Sequence, residues 1–185
     1  MEKKTIIGII GEQAGGKGSA SDIIIKRYGG VRITTSSILR RTLDSLHIPF
    51  SRENLINLAM ILKRGFGDSV LMDAALKDVE NIDSDLVIVD GIRMKGDTDP
   101  FKKVYKESFT LIYVTADPKI RYERSKKRGE KAGENLATLE EFLEKEKAPT
   151  EAAIAEVGKT ADFKITNDGN YEELEKAVIA VMEKI

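Results

Sequence analysis

Short runs of β-branched and aliphatic residues recur along the chain, separated by longer stretches in which apolar residues return every three or four positions. The runs fall near 4 to 10, 31 to 34, 85 to 90, 109 to 115 and 162 to 166. β-branched runs of this length suit strands of a parallel sheet, whereas a 3.6-residue return marks helices. The pattern predicts helices from about Lys17, and over Ser36 to Leu46, Ser51 to Lys63, Asp68 to Val79, Pro118 to Arg128, Leu139 to Val157 and Tyr171 to Ile185. Local chemistry supports several of these: Ser51 is suited to open a helix, Gly65 follows the end of one, and Asp117-Pro118 puts proline in a first turn. Strand and helix alternate, which predicts an α/β fold with a five-stranded parallel sheet and helices on both faces. Leu55, Leu58, Ala59 and Leu62 form an apolar stripe assigned to the core or to a dimer contact. Lys126 to Thr138 carries Gly129 and Gly133 among charges without apolar periodicity, and reads as a mobile loop.

Directly after the first apolar run, Gly11 to Ser19 reads G-E-Q-A-G-G-K-G-S. A buried strand ending at Gly11, glycines that let backbone N–H groups turn inward, and a helix opening near Lys17 together make a cradle for an anion. Gly11, Ala14, Gly15, Gly16, Gly18 and Ser19 are its backbone, and Lys17 adds positive charge. The spacing fits the phosphate-loop pattern of Gly, four residues, Gly and Lys. Gly18, however, stands where a magnesium-ligating Ser or Thr is usual, and Ser19 comes one place later. A glycine-rich turn with a surface lysine is the bland alternative.

Composition narrows the field without choosing a function. The 185 residues fit one domain, 1 to 185, with a real core, and the 30 basic and 31 acidic residues give no global field that would draw nucleic acid or an anionic membrane. The absence of cysteine excludes disulfides and thiolate metal sites. The first apolar run is too short to span a membrane. A cytoplasmic protein, monomer or homodimer, is expected. His47, the only histidine, precedes Ile48-Pro49 in a helix-ending turn and reads as structural.

Three further segments carry chemistry. Val87-Ile88-Val89-Asp90-Gly91-Ile92-Arg93 is a buried strand that ends in an acid, which places Asp90 at the carboxyl edge of a parallel sheet, facing Lys17 and suited to hold magnesium directly or through water. Arg93, three residues on, is within reach of a transferring phosphoryl group. Ile33-Thr34-Thr35-Ser36-Ser37-Ile38-Leu39-Arg40 puts hydroxyls at a helix start and Arg40 one turn in, a grouping suited to a phosphomonoester. A serine cap with a solvated basic face accounts for it equally well when the segment is taken alone. Arg52, Asn54, Asn57 and Arg64 line an acceptor cleft or form a polar helix face. Arg124 and Arg128, near Arg121, Lys126 and Lys127, lie on and after a helix that follows a strand; a solvated face is the reading kept for the two lysines.

These motifs resemble those of nucleoside monophosphate kinases. The G-K-G-S loop and Asp90-Gly91-Ile92-Arg93 are similar to the corresponding segments of adenylate kinase, and Ile33 to Arg40 resembles the segment in which Thr and Arg hold the acceptor nucleotide, which implies Thr35 and Arg40 here. Glu123 to Arg128 resembles the start of a lid, implying that Arg124 and Arg128 close over ATP, with Lys145 or Lys147 substituting for a second lid arginine. Ala161 to Gly169, with Leu174, resembles the adenine-shelf segment of dephospho-CoA kinase and implies Asn167 and Gly169 beside the base. The resemblance implies a three-layer P-loop NTPase fold with an acceptor-binding helical part at about 35 to 80 and a lid at about 124 to 147. The activity it implies is transfer of the ATP γ-phosphate, with Mg2+, to a small nucleotide-like acceptor. Lys17, Asp90, Arg93 and Arg128 would carry the chemistry, with no nucleic-acid or membrane partner. A nucleotide-binding ATPase or switch without an acceptor is the competing reading.

Overall fold

The apolar runs become five strands, β1 (Thr5–Ile10), β2 (Val31–Thr34), β3 (Leu86–Asp90), β4 (Phe109–Thr115) and β5 (Phe163–Thr166), in a computed structural model that describes residues 4–128 and 138–185, apart from the side chains of Arg128 and Thr150. They form one parallel sheet in the order β2-β3-β1-β4-β5, with helices on both sides. Its central strands carry the most apolar sequences: Ile6, Ile7, Ile9 and Ile10 of β1 and Val87, Ile88 and Val89 of β3 are wholly shielded from water. Removing such side chains from solvent is the main favourable term, at about 2 kcal/mol each. Among the described residues no helix is long and apolar enough to cross a membrane.

The chain divides into two compact units. The first holds residues up to Gly8, Gly30–Ile92 and Gly96–Phe109. It contains β2, β3, α2 (Thr35–Ser45), α3 (Arg52–Phe66), α4 (Val70–Asn81) and the short α5 (Asp99–Tyr105). Strands β2 and β3 pair in register, Ile33 with Val89 and Thr34 with Asp90. Helix α2 starts where the Thr34 hydroxyl accepts the Ser37 N–H at 2.9 Å, and Arg41 ties it to α4 through both carboxylate oxygens of Asp78 at 3.0 and 2.7 Å. The Lys4 ammonium closes the C-terminal end of α4 by donating to the carbonyls of Val79 and Ile82. Helix α3 packs against α2 and α4 with its predicted stripe of Leu55, Leu58, Ala59 and Leu62 half-buried.

The second unit holds Ile9–Gly29, Arg93–Lys95 and Thr110–Ile185. Its helices are α1 (Lys17–Tyr28), α6 (Pro118–Arg128), α7 (Leu139–Glu146), α8 (Pro149–Gly158) and α9 (Tyr171–Met182). Strands β4 and β5 pair from Ile112 with Phe163 to Thr115 with Thr166. Helix α6 is held to α7 by Arg121, a guanidinium only 4% exposed. It grips the Glu146 carboxylate with two N–H groups, donates to Ala116 O and lies 5.9 Å from the centre of the Phe142 ring. The mobile loop expected at Lys126 to Thr138 falls mainly on 129–137, which lie outside the described residues.

Several boundaries differ from the sequence expectation: the helix expected over Asp68 to Val79 is Val70–Asn81, the last helix ends at Met182 and not Ile185, and three further differences have a clear physical cause. The helix expected over Leu139 to Val157 is two helices, because Pro149 has no N–H and forces the residue before it out of helical geometry; Ala148 sits at φ −55°, ψ 140°. The helix expected to stop before Gly65 runs through Phe66 and is closed by Gly67 at φ 99°. Helix α5, which the pattern misses, spans only seven residues, too few for a period to register, although Phe101 within it is fully buried and stacks on Phe109 at 5.8 Å.

Candidate nucleotide-binding site

The phosphate loop follows β1 without an intervening residue, and its shape is fixed from outside. A side chain at Gly11 would overlap the Val114 carbonyl oxygen, and a Cβ at Gly15 would lie 2.9 Å from the same atom. The loop is therefore pressed onto the backbone of β4, closer than any residue but glycine permits. Ala14 at φ 59° and Gly16 at φ 106° turn the chain twice through left-handed geometry, which aims successive N–H groups to one side. A side chain at Gly16 would also overlap the Asn167 amide.

Gly16 then caps α1 with no side-chain hydrogen bond, and the first helical bond is donated by Ala20 to Gly16 O. By helix geometry the N–H groups of Lys17, Gly18 and Ser19 lack intrahelical acceptors and point out of the helix start. With the positive end of the helix dipole they form a ready anion site. The Lys17 ammonium folds back over the loop and donates to Gly11 O at 2.6 Å and Glu12 O at 3.1 Å. A phosphate chain fits this arrangement, since its oxygens can replace those carbonyls while the loop amides stay as they are.

Two residues brace the loop from below. Asn167, buried at the end of β5, donates through Nδ2 to Gly15 O at 3.0 Å, and its own N–H reaches Thr115 O at 2.7 Å. Arg124 holds the same β5–α9 connection by donating to Asn167 O at 2.7 Å and Gly169 O at 2.9 Å. The side chain of Asn167 thus supports the phosphate loop, and the guanidinium of Arg124 reaches the loop in which an adenine shelf was expected. Arg93 lies within 3.5 Å of Glu151, largely exposed. The Arg128 side chain lies outside the described residues. Lys147 pairs with Glu144.

The second brace is Tyr113, and neither it nor the supporting role of Asn167 was read from the sequence. Glu12 is buried inside the loop and accepts a short hydrogen bond from the Tyr113 hydroxyl, while its other oxygen, Oε2, is buried without a partner. Burial, and next the bond to Glu12, pushes the Tyr113 phenol up to about 12. A phenol whose pKa rises on folding favours the native state below its unfolded value near 10, and that contribution is lost as pH climbs from about 10 to about 12. Tyr113→Phe should therefore cost about 1–3 kcal/mol at neutral pH by leaving a buried carboxylate unpaired, and should flatten the alkaline unfolding profile between those two pH values. Urea titrations across the alkaline range measure both effects.

The first unit holds Asp90 and two of the expected acceptor residues, Thr35 and Arg40, whereas Arg93 belongs to the second. Asp90 ends β3 half-buried, paired in register with Thr34, and the backbone of Gly91 after it lies against the Thr35 side chain. Thr35 and Asp90 are thus brought to one strand end. Arg40, exposed one turn into α2, lies over the Phe50 ring at 4.1 Å from its centre. Phe50 was not singled out in the sequence; a planar guanidinium stacked on an aromatic face is held in orientation at small entropic cost. No group of three or more His, Cys, Asp or Glu side chains among the described residues could cage a metal ion. Magnesium nevertheless fits a donor set of one carboxylate with phosphate oxygens and waters, because it keeps several waters in such sites.

No family model matches the chain. It is 30% identical over 182 residues to a UPF0200 protein of Methanocaldococcus jannaschii, covering 97% of this chain and 90% of that one. A UPF0200 protein of Saccharolobus islandicus is 28% identical over 180 residues, covering 97% and 93%. Among solved structures, shikimate kinase from Bacteroides thetaiotaomicron superposes with a TM-score of 0.59 at 15% identity, covering 97% of each chain. A gluconokinase from Sinorhizobium meliloti does so at 0.56 and 14%, covering 99% and 93%. At such identities the shared property is the P-loop kinase-like fold.

Proposed function

The chain belongs to the UPF0200 family, and from that footing we propose that it is an ATP-dependent phosphotransferase acting, with Mg2+, on a small nucleotide-like acceptor in the cytoplasm. The observation that carries the reading is the loop from Gly11 to Ser19, glycine-tight against Val114 O, with Lys17 held over it. ATP binds there with its phosphates on the N–H groups that open α1. The bond between the γ-phosphorus and its bridging oxygen breaks, a bond to an acceptor oxygen forms, the acceptor proton passes to solvent and ADP leaves.

Such transfer asks chiefly for alignment and neutralised charge. Lys17 and the loop amides meet the phosphates, Asp90 holds magnesium, with Ser19 a lesser contributor, and Arg93 and Arg128 offset charge on the moving group. Thr35 and Arg40 hold the acceptor phosphate, with Phe50 fixing the plane of Arg40. Arg124, Asn167 and Gly169 bound the adenine end. Magnesium, when bound, neutralises charge that develops between the β- and γ-phosphates.

The test is ADP release with ATP and Mg2+ against a panel of nucleoside monophosphates and dephospho-CoA. At least one acceptor should stimulate ATP consumption well above the rate with water. With that acceptor, Arg40→Ala should raise its Michaelis constant by about tenfold or more and leave that for ATP nearly unchanged, since an arginine–phosphate contact is lost on one side only. ATP hydrolysis that no phosphomonoester stimulates would instead favour an ATPase or switch.

A further inference from the structure

Helix α3 has fifteen residues and none of them is fully buried. Its half-buried stripe is the one that meets α2 and α4, but the opposite face is also rich in apolar side chains: Ile56, Met60 and Ile61 are 48%, 57% and 65% exposed. A helix apolar on both sides and covered on one has a second surface to cover.

The arrangement of that outer face identifies its occupant. Down its middle run Glu53, Asn57, Met60 and Arg64, all exposed, in steps of four, three and four residues, the spacing of a helix-packing seam. These steps read identically in either direction. If the helix is set antiparallel to a copy of itself, a two-fold axis level with the Leu58–Ala59 step brings Asn57 against Met60 and Glu53 against Arg64, with Ile56 and Ile61 flanking the seam on opposite sides. The last contact occurs twice, once at each end, and joins opposite charges each time. Among the described residues neither Glu53 nor Arg64 makes an ion pair within the chain. A self-complementary patch is what a two-fold interface requires, because the same surface must serve both partners. A parallel pairing would instead set Glu53 against Glu53 and Arg64 against Arg64.

We propose that the outer face of α3 docks on the same face of a second copy of this chain, making an antiparallel two-helix contact with Glu53–Arg64 pairs at its ends. A contact about four turns long is small for a protein interface, so the dimer is a reversible one.

Sedimentation equilibrium of the full chain, followed over a concentration series to about 100 μM, reads the mass directly. The result expected is a rise toward twice the 20.5 kDa chain mass, weakened by salt. Met60→Glu should abolish it, and Glu53→Arg and Arg64→Glu should each weaken it by about tenfold or more, because each sets like charges together at both ends. The combined Glu53→Arg, Arg64→Glu chain should recover the wild-type dissociation constant to within about threefold, as only self-pairing allows. All three positions are exposed, and an unchanged thermal transition verifies the fold of each variant. A chain that stays monomeric throughout the series overturns the proposal, as does a dimer indifferent to these charges. Single reversals that weaken association without rescue by their combination overturn it too, and point to a different partner for this face.

Discussion

Lys17→Ala should keep the fold and lose phosphoryl transfer by a factor on the order of a hundred or more, the usual consequence of deleting one preorganised charge at a transferring group. The structure adds a way to separate chemistry from architecture. Lys17 also donates to Gly11 O and Glu12 O, so part of any loss could come from a loosened loop. Those two bonds contribute about 1 kcal/mol each, which is visible as a modest fall in the urea midpoint. The rate loss should exceed what such loosening explains and should fall mainly on turnover. A folded Lys17→Ala chain that transfers phosphate at a near-normal rate would remove the basis for the proposed site. Thermal unfolding and single-turnover kinetics on one preparation supply both readings.

The second large effect is expected at Asp90. Gly18 offers no hydroxyl at the usual position, so the proposed function assigns the protein's magnesium contact to the carboxylate that ends β3. Asp90→Asn should raise the magnesium concentration needed for half-maximal activity by roughly tenfold or more, whereas Ser19→Ala should move it by less than about threefold. Magnesium titrations of the two variants at saturating ATP give the comparison. Equal shifts would transfer the metal contact to Ser19, and no shift in either would leave the ion bound by phosphates and water alone.

What could be read from the sequence was what neighbouring residues determine among themselves. The five strands were legible to within about a residue because each is a short β-branched or aliphatic run between turn formers, interrupted by a charge only at Arg32 in β2 and Lys164 in β5. The phosphate loop was legible because strand, glycines, lysine and helix start follow one another along the chain. Pro149 carried the signal for the break between α7 and α8, and the surrounding helical residues hid it. The braces were illegible for a different reason. Asn167 meets Gly15 across 152 residues and Tyr113 meets Glu12 across 101, and no local pattern states which distant side chain will support a loop. Phe50 under Arg40 was hidden similarly, since an isolated aromatic beside a proline reads as ordinary packing until the helix before it is placed.

The same long separations set the order in which the binding site can come into being. The residues that line the phosphate loop are complete once Ser19 is made, yet the carbonyl it rests on belongs to Val114 and the amide beneath it to Asn167. A nascent chain that has released only β1 and α1 holds the motif without its mould, and closing contacts between such remote positions is the slow part of folding. On the proposed function, competence to bind a nucleotide is expected only after β4 and β5 have joined the sheet, and a chain interrupted before Asn167 carries a complete signature with half of its supports.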